Sequence, residues 1–163
     1  VAGAVMRGMV SRRRGRVVNV SSGAAGFASP GYSAYCASKA ALTLWTECLA
    51  GSAERYGISV MAYHPGVVRT DMTEYSAARP DIEVGNPIVE TIRELFASGQ
   101  DDPIEAAVES LLQVAAGVFD GLPGRQIGVG DEAELLLPRA AEIIQEGLYA
   151  IRIKELTADP NVT

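Results

Sequence analysis

Tyr35 and Lys39, four residues apart in the run YSAYCASKAAL, are the residues whose types and spacing most directly suggest chemistry. On an α-helix this spacing places both side chains on one face, about one turn apart. A phenol with an unperturbed pKa near ~10 is almost fully protonated at neutral pH, and a fixed ammonium beside it favours the phenolate. At about 4 Å and an effective dielectric of about 20 the raw attraction is roughly 4 kcal/mol, an upper bound that still leaves room for a usable general acid or base. A position near the helix start adds the macrodipole in the same direction.

Ser22 stands thirteen residues before Tyr35, where a β-branched run gives way to the loop Gly23 to Gly31, rich in glycine, alanine and serine. Such residues let backbone and ligand approach closely. A hydroxyl there can meet a carbonyl oxygen that the phenol also reaches. Downstream, His64-Pro65-Gly66-Val67-Val68-Arg69-Thr70 follows a second apolar run. The serine, the Tyr-x-x-x-Lys pair and the Pro-Gly segment, in this order and spacing, resemble the short-chain dehydrogenase/reductase family from about Val1 to Met72. Tyr-x-x-x-Lys alone would be a weak signal, because any helix-rich protein can contain it by chance.

The resemblance implies a nicotinamide-dependent oxidoreductase that interconverts an alcohol and a carbonyl. It makes Ser22, Tyr35 and Lys39 the catalytic residues. Tyr35 and Lys39, with Pro65, Gly66, Val68 and Thr70, would border the cofactor, which is NAD or NADP. In this reading the Val68 backbone and the Thr70 hydroxyl hold the carboxamide end, and Lys39 also holds the ribose hydroxyls. The expected partner is a small-molecule alcohol or carbonyl, and the complete enzyme would be a homo-oligomer. The fold implied is α/β: a partial doubly wound, Rossmann-type parallel sheet, representing the C-terminal half of a member.

Bulk composition agrees with an α/β globular chain. Of 163 residues, 48% are hydrophobic and 21% charged, which argues against disorder. A net charge of −6 argues against a general nucleic-acid surface. No apolar run approaches the ~20 residues of a membrane-spanning helix. In the opening VAGAVMRGMVSRRRGR the apolar part precedes the basic part, the reverse of a secretory leader, and the first valine reads as a cut end. Arg12, Arg13, Arg14 and Arg16 read as a solvated turn, with phosphate or nucleic-acid contact as the alternative. Cys36 and Cys48 share one predicted helix roughly 18 Å apart along its axis, beyond disulfide reach, so reduced thiols and a cytoplasmic setting are expected. Neither has the company of a metal site.

The elements that must position these residues follow in order. Val1 to Val10 reads as a helix tail, and Val17 to Val20 as a buried strand. A helix capped by Ser33 runs to about Tyr56, with Gly57 as its stop. It is apolar nearly all round, so it needs cover on two sides, one from its own sheet and the other, by the resemblance, from a twin helix of a second subunit. Ile58 to Tyr63 is a second strand ended by Pro65-Gly66. Ser22 and Pro65 then fall at the carboxyl rim, where open α/β sheets bind ligands. His64, the single histidine, reads as a packing or turn residue, with general base as the alternative. Residues 1–72 form the catalytic core segment of a single partial domain and 73–124 a substrate lid and helix region; the stretch from Asp71 to Gly99, expected to serve as the lid, holds Met72, Tyr75, Ile82, Ile88 and Phe96. There Asp102-Pro103 opens a helix with Ala106, Leu111, Leu112, Ala115 and Val118 on its apolar face. Residues 125–163 supply a last strand, Arg125 to Val129, and a C-terminal extension.

Gly128-Val129-Gly130-Asp131-Glu132-Ala133 matches the dinucleotide fingerprint G-x-G-x-x-A. Asp131 and Glu132 would put negative charge where pyrophosphate must sit, so Asp131 reads better as a helix N-cap. The glycine-rich βα turn, the residue that selects between cofactors and the tetrad asparagine of the resembled family have no counterpart here. The competing reading is therefore a non-catalytic truncated remnant that acts only through subunit contact.

Overall fold

The computed structural model describes residues 2–78 and 86–153. Ile82 of the expected lid and residues 154–163 of the expected extension lie outside the described residues. Three strands, β1 (Gly15–Val20), β2 (Ile58–His64) and β3 (Gln126–Gly128), form a parallel sheet in the order β1-β2-β3. Val17 pairs with Val60, Val20 with Tyr63 and His64 with Gly128. Parallel neighbours need long crossovers. The helix α2 (Ser33–Ala53) supplies the first, and α3 (Asp71–Ala78), α4 (Pro87–Ser98) and α5 (Ile104–Ala116) lie within the second. A helix α1 (Ala2–Ser11) precedes β1, and two short helices, α6 (Ala133–Leu136) and α7 (Ala140–Gln145), follow β3.

Period-2 alternation along β2 sends its side chains to two cores. Ile58 and Val60 pack with Ala50 and Ala53 of α2 and with Met6, Met9 and Val10 of α1. Met61 and Tyr63 face Val114, Phe119, Leu122, Ile127 and Ile143 on the other side. The large side chains of Met61, Tyr63, Phe119 and Leu122 are fully buried, each worth about 2–3 kcal/mol on transfer from water. The Tyr63 phenol, inside the second core, donates to the Ala107 carbonyl at 2.6 Å.

Several local expectations change. Ser33 is the first residue of α2, not its cap; Tyr32 occupies the N-cap position without a side-chain bond. The helix itself ends at Ala53, a 3₁₀ turn continues to Tyr56, and Gly57 at φ 67° makes the left-handed stop. On α5 the buried positions are Ala107 and Val114, with Leu111 partly covered. Leu112 and Val118, expected inside, are 63% and 41% exposed. Once the 107–111–114 row is seated on the core, Leu112 is carried about 100° round the axis. Asp131 is not a helix cap: its carboxylate accepts from the Gly128 N–H at 2.6 Å, and Glu132 precedes α6. The fingerprint glycine thus spends its amide on the chain's own carboxylate. Of α2, one face is buried through Cys36, Thr43, Thr46, Ala50 and Ala53, while Ala34, Ala37, Ala41, Leu44, Trp45 and Cys48 are exposed. Both cysteines are free thiols.

The segment after α7 returns to the sheet. The Gln126 N–H donates to the Tyr149 carbonyl at 2.9 Å, and Arg152 grips Glu47 of α2 with two nitrogens, beside the buried Arg125 guanidinium on the same carboxylate. The Arg152 guanidinium, helped by Arg125, holds the Glu47 carboxyl at about 2 against the opposing effect of burial. A carboxylate held this low stabilises the fold above its unfolded value near ~4.5, and the contribution is lost as pH falls toward 2. Glu47→Gln leaves Arg125 buried without an anion and should cost on the order of 2 kcal/mol at pH 7. The deficit against wild type should shrink with acidification from pH 5 to pH 2. Denaturant unfolding across that range checks it, and a constant deficit would refute the assignment.

Candidate active site at the carboxyl rim of the sheet

Tyr35 and Lys39 lie on one face near the start of α2, with the Lys39 ammonium 5.7 Å from the centre of the Tyr35 ring. Lys39 Nζ donates to the Val20 carbonyl, the last of β1, at 3.0 Å. The Tyr35 ring meets Tyr32 edge-on at 6.2 Å, and its hydroxyl is bonded to no group among the described residues. Ser22, two residues beyond the lysine's carbonyl partner, opens a 3₁₀ turn, Gly23–Gly26. Its Oγ accepts from the Ala24 N–H at 3.2 Å. That bond occupies a lone pair and leaves the hydroxyl proton to donate outward.

Pro65 and Gly66 follow β2 at the same rim, because β1 and β2 end in register. A Cβ on Gly23 would lie 3.1 Å from His64 Nε2, so the serine loop and the end of β2 are in contact. Gly66 has φ 80°, and a Cβ there would come 2.1 Å from an Asp102 carboxylate oxygen and 2.6 Å from Val129. Only glycine fits. Asp102 accepts from the Val67 N–H at 2.7 Å and returns its own N–H to the Val67 carbonyl at 2.9 Å, and Val68 forms a parallel bridge with it. The expected cofactor-bordering turn is therefore laced to the residue that introduces α5. Thr70 is occupied as the start of α3: its hydroxyl lies 3.1 Å from that of Thr73, and Thr73 Oγ1 donates to the Val68 carbonyl at 2.8 Å. Arg69 stacks on Phe96 at 3.9 Å and bonds Asp101 at 3.1 Å, which joins this turn to α4.

Residues that the sequence did not single out hold the rim together. Asn19 donates to Thr46 at 2.9 Å, and Ser21 bonds Thr43 at 2.7 Å, both across to α2. Thr43 in turn bonds Gln126 of β3. Asn86 caps α4 through the Ile88 and Val89 amides, accepts from Ser29 and donates to the Pro30 carbonyl, so it pins α4 to the loop that leads into Tyr35. Two threonines on the buried side of an otherwise apolar helix were the signal that could have revealed the α2 contacts. Among the described residues no cluster suited to a metal ion occurs.

His64 serves the turn. Its Nδ1 accepts from the Gly66 N–H at 3.2 Å, which requires that nitrogen to be unprotonated. Burial pushes the imidazole below its ordinary value, and Asp102 and Asp131 oppose the shift. The neutral ring's contribution is thus complete above the unfolded value of about 6.5 and is lost as pH falls through the lower folded value. Titration by imidazole NMR should give a midpoint below that of free histidine, with the Gly66 amide losing protection over the same interval. A midpoint at or above the free value would overturn this account.

The family model described as short chain dehydrogenase matches residues 1–81. The chain is 38% identical over 71 residues to the 3-oxoacyl-(acyl-carrier-protein) reductase FabG of Haemophilus influenzae, covering 44% of this chain and 29% of that protein. It superposes on a short-chain dehydrogenase/reductase of Saccharomyces cerevisiae with a TM-score of 0.69 at 27% identity, over 81% of this chain and 52% of the other. A gluconate 5-dehydrogenase of Burkholderia cenocepacia, solved with NADP and tartrate, shares the fold at TM-score 0.66 and 22% identity, over 79% and 48%. The chain therefore spans about half the length of these solved structures. On these matches the chain belongs to the short-chain dehydrogenase/reductase family.

Proposed function

We propose that this chain carries the acid/base half of an oxidoreductase that interconverts an alcohol and a carbonyl with NAD or NADP. The observation that carries the reading is the placement of Lys39 beside Tyr35, with its ammonium tied to the strand end that leads into Ser22. The nicotinamide, when bound, supplies or accepts the hydride. Tyr35 gives its proton to the carbonyl oxygen in reduction and takes it back in oxidation. Ser22, with its lone pair engaged by the Ala24 amide, donates its hydroxyl to the same oxygen and aligns it. Lys39 uses one of three N–H donors on Val20, and the other two suit the ribose hydroxyls.

Pro65, Gly66, Val68 and Thr70 would border the nicotinamide. The side-chain-free Gly66, backed by Asp102, supports this, since a Cβ would break the turn. The pyrophosphate cradle belongs to a preceding βαβ half in this reading. Its supports are the edge position of β1 among the described strands and the half-length match to the solved structures. The exposed row Ala34, Ala37, Ala41, Leu44, Trp45 and Cys48 would meet the same helix of a second copy.

Tyr35→Phe in the complete enzyme should lower turnover by roughly 10² to 10⁴ with cofactor affinity little changed, because only the proton donor is removed. Lys39→Met, which keeps the aliphatic stem, should weaken cofactor binding as well. Steady-state kinetics with both cofactors, together with calorimetric titration, reads both effects. Turnover near wild type in Tyr35→Phe would exclude the phenol as acid/base.

A further inference from the structure

The buried hydroxyls and the amide behind the serine loop form a closed circuit whose proton directions can be assigned. Gln126 Nε2 faces the Ser22 carbonyl at 3.3 Å. A carbonyl only accepts, so the amide nitrogen must be the group that faces it. Gln126 Oε1 therefore faces Thr43 Oγ1 at 2.9 Å, and Thr43 must donate. With that single proton committed, the 2.7 Å contact between Thr43 and Ser21 runs from the Ser21 hydroxyl to Thr43, which lies nearer than the Lys39 carbonyl that the same hydroxyl faces at 3.3 Å. Ser21 is 3% and Thr43 2% exposed, so water is not a ready substitute partner for either. The circuit starts at Ser21, the residue after β1, crosses α2 at Thr43, reaches β3 at Gln126 and returns to the residue next to its origin, Ser22.

We propose that Gln126 is a positioning residue for Ser22. It fixes the Ser22 carbonyl, which also accepts from the Ala25 N–H at 3.1 Å. With that carbonyl held on two sides, the peptide plane and the direction of the Ser22 side chain are set. Gln126 does not meet the reacting atoms; it acts through the serine, and its catalytic consequence rests on the reading of Ser22 given above. A register shift of α2 by one turn would take Thr43 away from both partners, so the circuit also couples the serine to the helix that bears Tyr35 and Lys39.

Gln126→Glu tests the direction of the circuit, because at nearly constant shape it replaces the amide's N–H donors with a group that donates only when protonated. As a carboxylate it cannot donate to the Ser22 carbonyl and repels it. As a neutral acid it again offers one donor to Ser22 and one acceptor to Thr43. Burial raises the pKa of such a group, so the variant should switch between the two forms at mildly acidic pH. In the 163-residue chain the Ser22 carbonyl carbon shift and the Ala25 amide protection should differ from wild type at pH 8 and return to it on acidification. Wild type should show no such step. In the complete enzyme the variant should lose roughly 10- to 100-fold in kcat at pH 8, with KM for cofactor unchanged, and recover toward acid. Thr43→Val, which keeps shape and removes the central hydroxyl, should loosen Ser22 at every pH and serves as the second variant if Gln126→Glu does not fold. Wild-type values at all pH in Gln126→Glu, or an unchanged Ser22 carbonyl in Thr43→Val, would overturn the proposal. So would a normal kcat beside a displaced carbonyl. An inactive wild-type enzyme, found together with the pH-dependent carbonyl step in Gln126→Glu, would instead refute the functional reading and leave the circuit standing.

Discussion

Three side chains of α2 reach back to the end of β1 and the residue after it: Thr46 to Asn19, Lys39 to the Val20 carbonyl and Thr43 to Ser21. They lie on one face of the helix and meet consecutive levels of the strand. A net contribution of about 1 kcal/mol per bond understates their importance, because a slipped helix leaves buried donors and acceptors unpaired at about 1–3 kcal/mol each. Apolar packing alone tolerates small slides of alanine-rich surfaces. The polar contacts do not. They fix the axial position of α2, and with it the height at which Tyr35 and Lys39 emerge above the sheet.

The same logic governs the turn after β2. Pro65 to Val68 has no regular ladder, and its amides are instead taken by His64 Nδ1 and the Asp102 carboxylate. One anchor comes from the strand that ends there and the other from the residues that introduce α5. A loop held from both ends by short bonds can present backbone groups with the precision of a strand. The expected cofactor face is thus built from ordinary loop residues on a rigid frame.

What is local is legible in the sequence. Tyr35 and Lys39 declare a shared face through their spacing, and ISVMAY declares a buried strand through its composition. The stop at Gly57 follows from one residue's freedom to adopt φ 67°. Contacts that close over long separations were not legible: Thr43 meets Gln126 across 83 residues and Asn86 meets Ser29 across 57, and nothing within a local window marks either pair. The phase of α5 is not fixed by its own residues for a related reason. Its leucines and valines surround more than one stripe, and the choice between stripes is made by Phe119 and Tyr63, which belong to other elements. Asp131 misled because a short acidic residue before a helix is both a good cap and a good turn closer, and here the Gly128 amide was the nearer donor.

The two edges of the sheet are not equivalent. On β3 the amides of Gln126 and Gly128 are spoken for, the first by the Tyr149 carbonyl and the second by the Asp131 carboxylate. On β1 the outer side bears no strand among the described residues, and Val20 is 50% exposed. As a template for backbone pairing the sheet is therefore one-sided. Any added strand, from the same polypeptide or from another molecule, is directed to β1, the strand that ends beside Ser22, and is refused at β3 by the chain's own returning segment. The direction of assembly is written into which edge has already been closed.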